Sequence, residues 1–151
     1  MPNNLENIDI NLTLRSEIKR LDAFESYDLN EPATLTITDN GDYIRYTEHA
    51  PENAQMPDAK AKFMLKLQAD GTVKMRRTGI LNTQLHFDLG HETTTNYRTP
   101  AGNIVLTVKT TTLKIQQNTD KTVGDVLIGY DLIENDSELG HYQIAVSYQK
   151  A

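Results

Sequence analysis

Apolar and polar residues alternate along successive stretches of the chain, from Ile8 near the start to Tyr148 near the end. A period of two places every second side chain on the same side of a strand, so one face is apolar and the other polar. The alternating apolar positions are Ile8, Ile10, Leu12 and Leu14, then Leu85, Phe87 and Leu89, then Ile104, Leu106 and Val108, then Val126, Ile128, Tyr130 and Leu132, and finally Tyr142, Ile144, Val146 and Tyr148. The pattern predicts an all-β, mostly antiparallel domain whose core is closed by one face of each strand.

Turn residues and one change of phase divide these stretches into hairpins. Asn40-Gly41 lies between two alternating runs and predicts a tight hairpin turn. Within the stretch that starts at Ile104, the apolar positions are even-numbered up to Val108 and odd-numbered at Leu113 and Ile115, which predicts a β-bulge near Thr110-Thr111. A long, sharply bent strand of this kind favours a sheet that curls into a barrel. Residues 20–31 lose the alternation, and a short helical turn and an ordered loop are equally compatible with them.

Length and composition limit the class of protein. The 151 residues, 38% hydrophobic and 24% charged, predict one globular domain over residues 1–151. The net charge of −6 argues against nucleic acid as a partner, because binding phosphates needs clustered Lys and Arg. The absence of cysteine excludes disulfides, thiolate zinc sites and a cysteine nucleophile. With no signal-peptide pattern and no apolar segment of membrane-spanning length, we expect a cytoplasmic protein without a membrane partner.

A series of short motifs occurs in a recognisable order. They are Tyr46-Thr47-Glu48, Arg77-Thr78-Gly79, Leu85-His86-Phe87-Asp88-Leu89-Gly90, Tyr97-Arg98-Thr99-Pro100-Ala101-Gly102 and Gly129-Tyr130. Together they resemble the YwiB-like family of small Firmicutes proteins, a domain of unknown function, over nearly the whole chain. The resemblance implies a calycin-like fold, an antiparallel up-and-down β-barrel of about eight to ten strands similar to lipocalins. It implies no activity.

The better-known calycins differ from this chain at their signature residues. Secreted lipocalins carry a Gly-x-Trp motif, and this chain has no Trp. Fatty-acid-binding proteins carry an Arg-x-Tyr pair, whereas Val146 stands two positions before Tyr148 here. The ligand classes of those families therefore do not transfer.

Arg77 is the most informative polar residue. It follows Val73 and Met75 at a period of two, and Glu48 is in phase with Tyr46, so both charges are predicted to face the apolar side. An unpaired charge there is costly, which favours an Arg77–Glu48 ion pair. One interpretation is a structural pair that fixes the register. The other is that Arg77 binds an anionic ligand group while Glu48 holds the guanidinium in place.

Two further groups of residues have both a structural and a functional interpretation. Tyr46, Tyr97, Tyr130 and Tyr142 fall on predicted inward faces, where tyrosines belong to the core or line a ligand site. The run from His86 to Glu92 contains two histidines and two acids, residue types that zinc prefers. The apolar residues of that strand hold the inward face, so we interpret the run as surface residues and expect no metal site.

The sequence contains no Ser-His-Asp order, phosphate-binding Gly-rich loop or paired-carboxylate motif, so we expect no catalytic residues, no cofactor and, on balance, no enzyme. The favoured hypothesis is a barrel that binds a small, partly apolar ligand that can carry an anionic group. The predicted ligand-binding residues are Arg77, Glu48, Tyr46, Tyr97 and Tyr130. The alternative is a structural or protein-interaction module with a filled barrel and no ligand. The sequence makes no prediction of the oligomeric state.

Overall fold

A computed structural model describes residues 6–49, 60–79, 82–99 and 101–151, with the side chains of residues 48, 49, 60 and 97–99 outside that description. Ten strands account for most of this part of the chain. They are β1 (Glu6–Lys19), β2 (Phe24–Thr38), β3 (Gly41–His49), β4 (Lys60–Gln68), β5 (Val73–Thr78), β6 (Thr83–Phe87), β7 (Glu92–Thr99), β8 (Gly102–Gln117), β9 (Val123–Glu134) and β10 (Ser137–Lys150). The described ranges hold no helix, and hence none long and apolar enough to cross a membrane. The predicted all-β class is confirmed.

All ladders are antiparallel, and the strands form one sheet in the order β6-β5-β4-β3-β2-β1-β10-β9-β8-β7. Neighbours in the sheet are neighbours in sequence, with one exception. The exception is the pairing of β1 with β10, in which Leu12 lies opposite Tyr148. The result is a nearly closed up-and-down barrel, consistent with the calycin-like architecture that the family resemblance implies.

The barrel closes between β6 and β7 without a backbone ladder. The hydroxyl of Thr93 donates a hydrogen bond to the carbonyl oxygen of His86 at 2.6 Å, and the hydroxyl of Thr95 donates to the carbonyl oxygen of Gln84. Side-chain hydroxyls therefore satisfy carbonyl oxygens on β6 that a tenth ladder would otherwise pair. We call this junction the seam.

The first half of β2 differs from its prediction. Residues 20–23 form a tight turn, in which the Arg20 amide donates a hydrogen bond to the Ala23 carbonyl at 2.8 Å. Residues 24–31 form neither a helical turn nor a loop, because β2 begins at Phe24. Most side chains from Phe24 to Asn30 are exposed. Alternation requires one buried face, and this end of the hairpin has little core to cover, so the strand has no periodic signal.

The core consists largely of the inward residues that the alternation identifies, and its aromatic members cluster. The prediction was wrong at Leu89, which is exposed because β6 ends at Phe87. The ring centroids of Phe87 and Tyr130 lie 4.8 Å apart, and those of Tyr130 and Tyr142 lie 5.1 Å apart in a stacked arrangement. The predicted bulge in β8 is present as a register shift between Thr110 and Thr112. It restores the inward direction of the following apolar residues.

Candidate functional site

β2 and β3 pair over only part of their length. Their ladder extends from Thr38 opposite Gly41 to Thr34 opposite Arg45. Beyond that point β2 continues along β1 and β3 continues along β4. The two strands therefore separate and leave an opening in the barrel wall. Pro32 lies on the part of β2 that no longer pairs with β3, and its lack of an N–H suits this edge position.

This opening is a cleft of about 930 Å³, which we call the β2–β3 cleft. Its volume falls within the range of about 300–1,000 Å³ that small-molecule sites occupy. Residues of both sheet faces line it. Arg45, Lys62 and Arg76 alternate with the core and come from the outer face, whereas Tyr46 and Phe63 come from the buried face.

The lining separates charge from aromatic surface. Tyr46 and Phe63 are 5% and 3% exposed, and their ring centroids lie 4.7 Å apart. Arg45, Lys62 and Arg76 supply cations from β3, β4 and β5, while Asp9 and Glu31 line the β1–β2 side. A molecule in the cleft would therefore lie over the nearly covered rings of Tyr46 and Phe63 and beside a cluster of cations. This combination suits an aromatic or acyl group that carries a negative charge.

Arg77 keeps the predicted phase but is exposed. It lies opposite Phe63 in the β4–β5 ladder, and its guanidinium carbon is 6.0 Å from the centroid of the Phe63 ring. β5 ends one residue later, at Thr78, so this inward position reaches the open end of the barrel and meets solvent. The side chain of Glu48 lies outside the described residues, although its backbone pairs with Ala61. The Arg77–Glu48 ion pair remains a prediction.

The tyrosines of the predicted site occupy different places. Tyr46 lines the β2–β3 cleft. Tyr130 is buried in the barrel, where burial raises the pKa of its hydroxyl, the neighbouring Tyr142 raises it further and Arg77 partly offsets the shift. The Tyr97 side chain lies outside the described residues. The structure thus brings Tyr46 to the cleft and places Tyr130 within electrostatic range of Arg77.

The candidate metal-ligating residues lie in two places. In the run that we interpreted as surface, Nδ1 of His91 lies 3.4 Å from Oδ1 of Asp88, and both side chains are exposed to solvent. Sequence reasoning missed a second group on the β9–β10 hairpin. There Nε2 of His141 lies 2.8 Å from Oε1 of Glu138, and Nδ1 contacts Asp131. Only the register, with His141 opposite Asp131, brings these side chains together.

A second missed feature is a buried polar network at the end of the barrel where β3 begins. Asp42 is 3% exposed, and Lys121 pairs with it across the barrel. Nε2 of Gln117 donates to Oδ2 of Asp42 at 3.2 Å and to the Tyr148 hydroxyl oxygen at 2.8 Å. The alternation could have identified Asp42 as inward-facing, because it stands two positions before Ile44, which is on the inward side of β3.

The sequence matches a family model described as a domain of unknown function, DUF1934, over residues 12–146. A similar solved structure is the crystal structure of the ywiB protein from Bacillus subtilis, with 20% sequence identity and a TM-score of 0.78. The match covers 97% of this chain and 95% of that one, and at this identity it supports the fold alone. No curated protein matches the sequence. Nine-tenths of the chain thus lies within one family model and the fold agrees, so the chain belongs to the DUF1934 family, as the resemblance to YwiB-like proteins led us to expect.

Proposed function

We propose that this protein binds a small, partly apolar, anionic molecule in the β2–β3 cleft. The observation that carries the proposal is the pairing of an aromatic wall, Tyr46 and Phe63, with three cations in one cleft of about 930 Å³. The absence of cysteine suits a binding protein of the reducing cytoplasm, the location that we propose for it.

The cations of the cleft are available to a ligand. Among the residues that the structure describes, Arg45, Lys62 and Arg76 have no carboxylate within salt-bridge distance. Arg45 instead lies over the Tyr43 ring, with its guanidinium carbon 4.6 Å from the centroid. Charge-assisted hydrogen bonds to a carboxylate, sulfonate or phosphate are stronger than neutral ones. An anionic group would therefore bind on the β3–β5 side of the cleft.

The proposal also includes the predicted ligand-binding residues that are not among the described residues lining the cleft, which are Arg77, Glu48, Tyr97 and Tyr130. Phe63 forms part of the cleft wall and also packs near Arg77, so a longer ligand would extend toward that guanidinium. The proposal keeps Glu48 as the group that orients Arg77, and keeps Tyr97 and Tyr130 as further ligand-lining residues. Phe87, Tyr130 and Tyr142 pack against one another on the inward side of β6, β9 and β10, which favours binding at the wall rather than in the interior.

The same aromatic stack supports a second candidate, a module with a filled barrel and no ligand. Bulky side chains fill the interior of a small barrel in such a module. In that case the outer faces or a strand edge would carry the function. The two candidates differ in one measurable property, which is saturable binding at the cleft.

Anilinonaphthalene sulfonate tests the proposal, because it joins an aromatic body to one negative charge and its fluorescence reports binding. We expect saturable binding of one probe per protein. The double variant Arg45→Met/Arg76→Met should weaken it by about tenfold, since both cations are lost while most of the apolar surface stays. Arg15→Met is the control, because Arg15 is at an exposed position of β1 outside the cleft. This variant should bind the probe as the wild type does. Non-saturable binding, or equal affinity in all three proteins, would favour the filled module.

A further inference from the structure

The outer face of β3, β4 and β5 concentrates positive charge. Its cations are Arg45, Lys62, Lys66, Lys74 and Arg76, all exposed or half-exposed. We call these five residues the basic face. They are a third of the 15 lysines and arginines of a chain whose formal net charge is −6. The remainder of the chain therefore carries a formal charge of −11.

The register of the ladders places these cations beside one another. Lys66 lies directly opposite Lys74 on the same side of the sheet. Arg45 and Arg76 lie on either side of Met64 in the next row across the three strands. Like charges in directly opposed positions destabilise a sheet. The Lys66–Lys74 pair is therefore a local cost to the stability of the sheet.

The carboxylates that the structure describes do not neutralise the basic face. Within the described residues, none of its five cations has an acidic partner within salt-bridge distance. Elsewhere, Nε of Arg15 lies 2.9 Å from Oε1 of Glu17 and Nη1 of Arg20 lies 3.5 Å from Oε2 of Glu25, whereas Lys109 and Lys114 on β8 also have no carboxylate partner among the described residues. The acidic residues within β3, β4 and β5 are Asp42 and Glu48, and both are in phase with the interior side of β3. Within the described part of the chain, the charge of the basic face is thus not neutralised by the protein.

The single aromatic residue of β3 on this face indicates which class of polyanion fits. The Tyr43 ring lies between two cations, with Arg45 Cζ at 4.6 Å and Lys66 Nζ at 5.1 Å from its centroid. Single-stranded nucleic acids bind largely by stacking bases on free aromatic rings. Tyr43 is engaged, so the described part of this face offers charge without a stacking platform. This favours a carboxylate-rich partner over a nucleic acid.

We propose that the basic face docks an extended acidic segment of a partner protein. Met64, half-buried between Arg45 and Arg76, provides an apolar contact in the middle of the charges. The segment that fits best therefore has Asp or Glu residues on both sides of one apolar residue. Complementary charge would set the specificity and the association rate of such a complex.

This surface goes beyond the proposed ligand site but shares Arg45, Lys62 and Arg76 with it. Lys66 and Lys74 belong to the basic face and are not among the lining residues of the cleft. Variants at these two lysines therefore separate the two proposals. Binding of anilinonaphthalene sulfonate should be unchanged in Lys66→Glu/Lys74→Glu.

The test is fluorescence anisotropy of a labelled, Glu-rich peptide with one central leucine, at low ionic strength with the full chain. We expect saturable binding that Lys66→Glu/Lys74→Glu weakens by at least about tenfold and that added salt weakens further. Lys109→Glu/Lys114→Glu is the matched control, because it makes the same change in net charge at exposed positions of β8. Lys66→Gln/Lys74→Gln, which removes charge without adding any, should show the same direction of change.

Three results would overturn the proposal. The first is no saturable binding of the peptide. The second is equal weakening in the β8 control, since net charge alone would then explain the effect. The third is tighter binding of oligothymidylate than of the peptide, which would assign the face to single-stranded nucleic acid.

Discussion

The Asp42 carboxylate on β3 lies 3.0 Å from Nζ of Lys121, which follows it by 79 residues in the turn between β8 and β9. Gln117 adds a hydrogen bond to the same carboxylate and one to the Tyr148 hydroxyl. The network links β3, β8 and β10, strands that are not neighbours in the sheet. It closes this end of the barrel with polar contacts, whereas the opposite end is open at Arg77.

Lys121→Met should destabilise the protein, because it leaves the buried Asp42 carboxylate with the Gln117 amide as its remaining partner. We expect a loss of about 1–3 kcal/mol in the free energy of unfolding, measured by urea denaturation. The Lys121 side chain is partly exposed, so solvent screens its attraction to Asp42 and the loss should not exceed that range. Lys109→Met is the control, and a change as large as in Lys121→Met would contradict the role of the network.

Gly124→Ala should destabilise the protein through a steric clash. A Cβ atom at this position would lie 2.4 Å from Cε2 of the Tyr148 ring, which packs directly on the Gly124 backbone. We expect a cost of about 1–3 kcal/mol, typical of overpacking in a core. In a chain that already carries Tyr148→Ala, Gly124→Ala should cost much less, because the ring that the new Cβ would meet is gone. Strictly additive effects in this double-mutant cycle would contradict a clash between Gly124 and Tyr148.

Thr93→Val/Thr95→Val should loosen the seam between β6 and β7. Each substitution removes a hydroxyl that pairs with a β6 carbonyl oxygen, at a cost of about 1 kcal/mol per bond. Hydrogen exchange followed by mass spectrometry should show faster exchange in β6 and β7 and unchanged protection in β1 and β10. Thr94→Val, on the exposed side of the same strand, should have no such effect.

Tyr130 should make stability fall at alkaline pH. Its pKa is raised in the folded protein, so ionisation in the unfolded chain favours unfolding once the pH exceeds the usual tyrosine pKa of about 10. The stabilisation is complete below that pH and is lost as the pH rises above it. Tyr130→Phe should flatten this decline, whereas Tyr27→Phe, at an exposed position, should keep it. Parallel curves for wild type and Tyr130→Phe would refute the assignment.

The fold could be predicted from the sequence because most strands bury one side. Alternation around Ile10, Ile128 and Ile144 reports that burial directly, and the phase change at Thr110-Thr111 reports the bulge. The first half of β2 could not be predicted, because its side chains are exposed on both sides and carry no period. The family resemblance supplied the closed barrel, which periodicity alone does not distinguish from an open sheet.

The candidate site could be predicted only in part. Phase identified Tyr46 as inward, and it lines the cleft. The cleft itself depends on how far β2 and β3 stay paired beyond Thr34, which no local pattern records. The exposure of Arg77 depends on where β5 ends, and the Asp131–His141 contact depends on the register of the last hairpin. These are relations between strands, and they cannot be predicted from one strand at a time.

The pairing of β1 with β10 makes assembly of the barrel a late event in synthesis. The ribosome releases β1 early, and β2 is available to pair with one edge of β1 soon afterwards. The other edge of β1 pairs only with β10, which is synthesised last among the ten strands. β1 to β6 can form successive hairpins as they emerge, and β7 to β10 can form a second series. An unpaired edge with alternating apolar residues is prone to aggregation. In the newborn chain this edge of β1 therefore stays exposed until β10 pairs with it.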